Sequence, residues 1–404
     1  MKMKKLPLVV LCFSLFVPLY AQDEGQGAKE PFSFARRYFE IGIDAGAGFA
    51  NDILGVKDVL KRNVVIDFDK IEESLGDKGA NIKAGVLGNF FMNIRNIRIG
   101  SGRWDFGVFA GADGSISANI PKSIFTFISE GNRDQKIFTG DINGFGGVFA
   151  EAGIKTSAKY GKLRLSFIPA VHSPMIYVPK SEIKYVLDTE DGVSLATEGA
   201  ISIYSPFLEN GELNFGFDIT LQGEYALLPF LDLGGVISRI PISPAKLQNR
   251  MRLDIALSDD FIITGDDLLG GEGLDFPEFD FTKEYDIHKI KVWRPMRFDV
   301  YARFKPIAGK ELLVLKPSLG FTVCIGESET YFNFGAEARL NLIDLFIPYV
   351  SFNREEGVWN NRFGFAFCLR AFELDLEAAL QSQSFKGSFE MKGLSLNVGL
   401  RFGW

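Results

Sequence analysis

The 404-residue sequence is short of the side chains that most chemistry needs. It has two histidines, three cysteines and four tryptophans. His172 and His288 stand far apart and outside any nucleophile motif, and no G-x-S-x-G elbow is present, so the chain does not read as an enzyme. No His or Cys pair has zinc-ligand spacing, and no metal ion or cofactor is expected. After residue 21 there is no run of eighteen apolar residues, which excludes a helical membrane protein. No Lys/Arg cluster stands against the net charge of −7, so no nucleic-acid partner is expected. The glycine-rich run 140–147 leads into a strand pattern rather than a helix, and reads as a turn rather than a phosphate loop.

Phenylalanine (39) and glycine (43) are plentiful. The first suits faces that meet hydrocarbon; the second suits tight turns and small inner positions. Met1–Lys5 is basic, Leu6–Tyr20 is almost wholly apolar and Ala21 supplies a small residue at a cleavage point, so residues 1–21 read as a signal peptide. Cys12 follows Leu11 rather than a small residue, which argues against lipidation. Losing Lys2, Lys4 and Lys5 takes the charge from −7 to about −10.

The strongest pattern is strict alternation. In Leu394–Trp404 every even position is apolar and every odd position is polar or Gly, which puts two chemistries on opposite faces of a strand. The pattern recurs at 39–47, 82–94, 104–113, 148–154, 163–167, 213–222, 297–305, 332–340 and 372–381, and is weaker at 177–187 and 229–238. Nine to eleven alternating residues per segment is what a tilted strand needs to cross a bilayer. The face opposite the apolar one repeatedly carries charge, and a dry core would penalise each such charge by several kcal/mol. Arg103, Asp105, Glu151, Asp218, Glu224, Arg297, Asp299, Arg303, Glu337, Arg339, Glu373, Asp375 and Glu377 are the candidates to face a hydrated lumen. The outer face of a soluble β-sandwich is the competing explanation. Cys324 and Cys368 read as small inner-wall residues about two strands apart, or as a bridge.

Three stretches depart from alternation. Helical spacing appears at 52–61, 67–76 and 121–131, each with a capping Asp or an opening Pro. Ile53, Val56, Leu60, Ile124, Phe125 and Phe127 supply the apolar stripes. Such short helices need a surface to pack on, so they are expected to plug the lumen, to sit at the periplasmic mouth, or to decorate loops outside it. Residues 259–286 form an acidic, glycine-containing loop without EF-hand spacing.

A closing strand that ends in Phe402 and Trp404 resembles the assembly signal of bacterial outer-membrane β-barrel proteins. The resemblance implies an outer-membrane location, with lipid and the barrel-assembly machinery as partners. The organisation, with short helices among early strands, is similar to that of the long-chain fatty-acid transporter class, a fourteen-stranded barrel with a helical hatch. It covers about the first third of the chain, carries no diagnostic motif, and departs in placing strand 39–49 before the helices.

The expectation is therefore an all-β, closed antiparallel transmembrane barrel of fourteen or sixteen strands, occupying residues 22–404 as one domain. It would conduct or transport small solutes, hydrophobic ones included, through a partly plugged lumen. An adhesin or structural barrel without transport is the alternative function.

Overall fold

A computed structural model describes residues 37–53, 55, 68–75, 79–130, 137–188, 194–208, 212–256, 280–307, 311–325, 327, 329–342 and 344–404. The expected signal peptide (1–21), Val56 and Leu60 of the first expected helix, and residues 259–279 of the acidic loop lie outside these.

Alternating segments become strands, and strands pair with their chain neighbours. The first five are β1 (Phe39–Asn51), β2 (Ala80–Ile99), β3 (Gly102–Ile120), β4 (Ile137–Tyr160) and β5 (Leu163–Asp188). Next come β6 (Ser194–Tyr204), β7 (Gly216–Leu228), β8 (Leu231–Ser243), β9 (Ala245–Ala256), β10 (Asp280–Val292) and β11 (Met296–Phe304). The last six are β12 (Leu313–Cys324), β13 (Glu329–Leu340), β14 (Phe346–Glu355), β15 (Val358–Cys368), β16 (Phe372–Ser382) and β17 (Gly393–Gly403).

Fourteen of these strands close a ring. The order is β1-β2-β3-β4-β5-β7-β8-β11-β12-β13-β14-β15-β16-β17, and β17 returns to β1 in an antiparallel register from Glu40↔Gly403 to Ala50↔Gly393. The remaining three branch from one side. The far half of β5 pairs with β6, β6 with β9, and β9 with β10. A closed ring leaves no unpaired edge, the condition for a sheet to sit in hydrocarbon.

Side-chain exposure follows the alternation. On β17 Leu396 is 54 % exposed while Ser395 and Arg401 are buried, Arg401 to 3 %. Val108, Ile154, Leu165, Leu221, Val300 and Phe363 are likewise exposed on their strands. The outside is thus a greasy belt and the inside is polar.

Glycine has a specific use on the inner face. Gly42 lies directly opposite Phe91, Gly153 opposite Phe109, Gly234 opposite Tyr301 and Gly364 opposite Tyr349. In each pair the aromatic ring lies over the glycine, occupying the place of a Cβ. Rings laid flat on backbone stiffen the wall and fill little of the lumen.

The turns fix the orientation. The start of β1, the end of β17 and the two-residue turns 100–101, 161–162 and 229–230 are at one end of the ring. Short turns mark the periplasmic end of this kind of barrel, and longer connections mark the outer one. The short helices α1 (Phe68–Ser74) and α2 (Lys122–Glu130) link β1 to β2 and β3 to β4, so they sit at the outer end, not at the periplasmic mouth. They pack on each other and on the rim. Ile71, Leu75, Phe125 and Ala80 form one cluster with Ile53 and Ile120, while Ile124 and Phe127 pack against Phe138, Tyr185 and Leu187. A third helix, α3 (Phe385–Phe389), is capped by Ser384, whose side chain accepts from the Gly387 amide, and joins β16 to β17.

Several sequence expectations change. Residues 140–147 are the start of β4, not a turn; Gly146 takes a φ of 137° beside a bulge. His172 lies mid-strand in the long β5, and His288 is inside β10, which also takes residues 280–286 from the acidic loop. Residues 177–187 belong to β5, and 229–230 are the turn before β8. Cys324 and Cys368 are unbridged; each ends its strand, and because β12 and β15 run in opposite directions the two lie at opposite ends of the ring.

Candidate functional site

The inner wall is organised by ion pairs that reach across the ring. Arg294, in the link between β10 and β11, is 3 % exposed. Its guanidinium grips Asp218 of β7 with two hydrogen bonds (Nε–Oδ2 2.8 Å, Nη2–Oδ1 3.0 Å) and also bonds Glu151 of β4. His172 Nδ1 stands 3.2 Å from the same Asp218. Arg239 of β8 bonds Asp113 of β3, with three wall strands lying between the two. These chords cross the lumen in its outer half. Buried charges hold together only when so paired and hydrogen-bonded.

Arg239 reaches this place through a bulge. By the parity of Leu231, Leu233, Gly235 and Ile237 it would point into lipid, where an arginine at mid-depth costs about 2–4 kcal/mol. The backbone takes a φ of 58° at Arg239, the register to β7 shifts, and the side chain turns inward.

Five further groups line the wall. Near the β1–β17 seam, Arg401 bonds Glu373 (2.6 Å) and Asp44 (3.1 Å), with Asp375 at 3.9 Å, and Arg95 bonds Glu40 (2.9 Å). Opposite, Arg303 bridges Glu224 (2.9 Å) and Asp232 (2.7 Å), with Lys305 also on Asp232 (2.8 Å). Arg297 joins Asp299 (2.6 Å) to Glu355 (3.3 Å). Arg339 pairs with Glu337, and the Tyr349 hydroxyl lies 3.0 Å from both Asp375 and Glu377. Asp105 accepts from Arg164 (2.8 Å). Of the candidate lumen residues only Arg103 stands apart: it is exposed at the periplasmic rim, and among the described residues it has no acidic partner.

Two hairpin tips fold toward the opposite wall at the outer end. Glu356, between β14 and β15, pairs with Lys83 of β2 (2.8 Å), and its amide donates to Asn333 Oδ1. Glu327, between β12 and β13, accepts from the Tyr177 hydroxyl of β5 (2.6 Å), while Glu329 pairs with Lys180 (2.7 Å). Lys83 holds the Glu356 carboxyl below the usual glutamate range. Burial pushes the Glu327 carboxyl up, against the lowering effect of its hydrogen bond from Tyr177.

Below these crossings a cavity of about 150 Å³ opens within the periplasmic half, lined by Phe91 and Phe109 as well as Asp44, Arg95, Arg164 and Arg401. It combines aromatic rings with paired charge. The alternation pattern missed Arg294 because it lies between strands, and missed Arg239 because a bulge inverts its face. An arginine falling on an apolar face is a signal that points to such a bulge.

A closed fourteen-stranded ring with an apolar belt and a polar, ion-paired interior is the architecture of an outer-membrane-type β-barrel. No family model matches the chain, and no curated protein matches it. Solved structures that it resembles include a TodX monoaromatic hydrocarbon channel with the S2 and S3 deletions (11 % identity, TM-score 0.46, covering 95 % of each chain). Others are the toluene transporter TbuX of Ralstonia pickettii (10 %, 0.43, 91 % of this chain and 89 % of that one) and a FadL homologue of Pseudomonas aeruginosa (10 %, 0.42, 90 % of each).

Proposed function

We propose that this barrel is a channel or transporter that carries small solutes, hydrophobic ones included, across the outer membrane. The observation that carries the reading is the cavity in the periplasmic half, with Phe91 and Phe109 among its lining, lying under a lumen crossed by breakable polar contacts. A passive route needs room for a solute and a barrier that opens without unfolding the wall. Here the barrier consists of side-chain ion pairs and two hairpin tips, while the wall keeps its own backbone ladder. The charged side chains of the inner face would set which solutes pass, and α1 and α2, docked at the outer rim, would narrow the entrance.

The assignment of residues 1–21 as a removed signal peptide and the part played by the barrel-assembly machinery belong to the same proposal. A barrel serving only as an anchor or adhesin needs neither the cavity nor inward-folded tips. Planar-bilayer recording of the purified protein tests the reading. Discrete conductance steps that grow when Lys83 is replaced by Met are expected. A silent wild type and a silent Lys83→Met variant, both shown to be folded by heat-modifiable migration on gels, would leave the anchor reading in place.

A further inference from the structure

The periplasmic mouth carries a row of cations that wall stability alone does not explain. Arg98 of β2 lies directly opposite Arg103 of β3, Arg103 opposite Lys159 of β4, and Lys159 opposite Arg164 of β5. Four adjacent strands thus present four positive side chains in one register. Directly opposed like charges destabilise a sheet. Elsewhere on the inner wall arginines are matched to carboxylates, as at Arg294, Arg303 and Arg401. Here Arg98, Arg103 and Lys159 are exposed and have no ion-pair partner among the described residues. Lys162, in the turn between β4 and β5, is exposed beside them. The nearby acids are engaged: Asp105 by Arg164 and the Asn96 amide, and Glu224 by Arg303.

The row faces the pore. Arg103 shares its strand face with Asp105 and Gly107, and Lys159 with Ser157, while Trp104 and Ala158 point outward. Arg98 joins this face because β2 bulges at Arg95–Asn96, where Asn96 takes a φ of 60°. Arg164, the end of the row, also lines the cavity. Arginine and lysine side chains are cationic at neutral pH, so this stretch of the rim carries a positive potential. Such a rim concentrates counter-ions.

We infer that Arg98, Arg103, Lys159 and Arg164 form an anion-binding rim that makes the periplasmic mouth select small anions over cations. The inference rests on the channel reading and specifies its ion class.

The experiment uses mature protein in neutral phosphatidylcholine bilayers under a KCl gradient, with a second probe that needs no current. The reversal potential should lie toward that of chloride, and the preference should fall about tenfold in Arg98→Ser/Arg103→Ser/Lys159→Ser. Raising the salt to about 1 M, where screening acts over about 3 Å, should erase it in the wild type. For the second probe, Ser101→Cys in the β2–β3 turn, with Cys324 and Cys368 changed to Ser, is titrated in detergent with negatively and positively charged thiosulfonates. The anionic reagent should react faster, and the triple substitution should remove the bias. Potassium preference, or a thiol bias unchanged by the triple substitution, overturns the inference. Silence in the bilayer with the thiol bias intact counts against the channel and leaves the rim standing.

Discussion

The two ends of this barrel are built on different plans. At the periplasmic end three of the six links are two-residue turns, a row of cations spans β2 to β5 and the cavity lies open behind it. At the outer end the longest connections run, helices dock on the rim, three strands branch from the wall and hairpin tips reach across to the far side. One end looks like an exit and the other like a closure. Strand pairing holds the wall in both halves, and what differs is whether opposite charges meet across the lumen.

That contrast can be broken at its strongest point. Arg294→Ala removes the cation shared by Glu151 and Asp218 and leaves both carboxylates buried. The expected loss is about 3–5 kcal/mol, read as a lower urea midpoint of the folded barrel in detergent. An unchanged midpoint would mean that water already fills the outer half. The wall itself is tested by Val108→Arg, which puts a charge on an exposed belt position. A loss of about 2–4 kcal/mol is expected in bilayers but little in detergent that can rearrange, and equal stability in both would place Val108 outside the hydrocarbon. Gly42→Val sets a branched side chain where the Phe91 ring lies and should cost about 1–3 kcal/mol. The double variant Gly42→Val/Phe91→Ala should recover part of that loss, and failure to do so would mean that the ring is not what the glycine accommodates.

The smallest effect is the most local. The Glu356 carboxyl is held low by Lys83, so its contact is intact above the ordinary glutamate range and is lost as pH falls through the depressed value. The Glu327 carboxyl is raised, so its contribution is full at acid pH and fades as pH rises through the elevated value. Acidification should therefore lower the hydrogen-exchange protection factor, taken against the intrinsic rate at each pH, at the β14–β15 tip and raise it at the β12–β13 tip. Both tips moving together would refute the assignment of opposite signs.

Much of the wall was legible because alternation is a direct imprint of a two-sided solvent. Leu394–Trp404 announces both faces, and Phe332–Leu340 and Phe372–Leu380 do the same. The paired charges of the inner face were legible as residue types, yet their partners were not, since Arg239 and Asp113 are 126 positions apart. Bulges hid more. Arg239 and Arg98 each sit on the wrong parity until an extra residue shifts the register. Residues 140–147 looked like a turn because glycine is common in turns, whereas in β4 Gly146 sits where the Ser115 and Ile116 backbone of β3 passes close and Gly140 and Gly147 sit against neighbouring rings. The α3 helix was missed although Ser384 is a standard N-cap residue three positions before Gly387.

The seam between first and last strands has a consequence for biogenesis. Tyr38 and Phe39 amides donate to the Trp404 carbonyl, the Phe39 and Trp404 rings touch, and Arg37 donates to the carbonyls of Leu369 and Arg370. Segments made hundreds of residues apart must meet before either is satisfied, so the nascent polypeptide has no self-sufficient partial product. Until the final hairpin arrives, the unfinished wall exposes two sticky margins, each a template for mispairing with a neighbouring molecule. Keeping those margins from other molecules until the ring closes is the folding problem that this architecture sets.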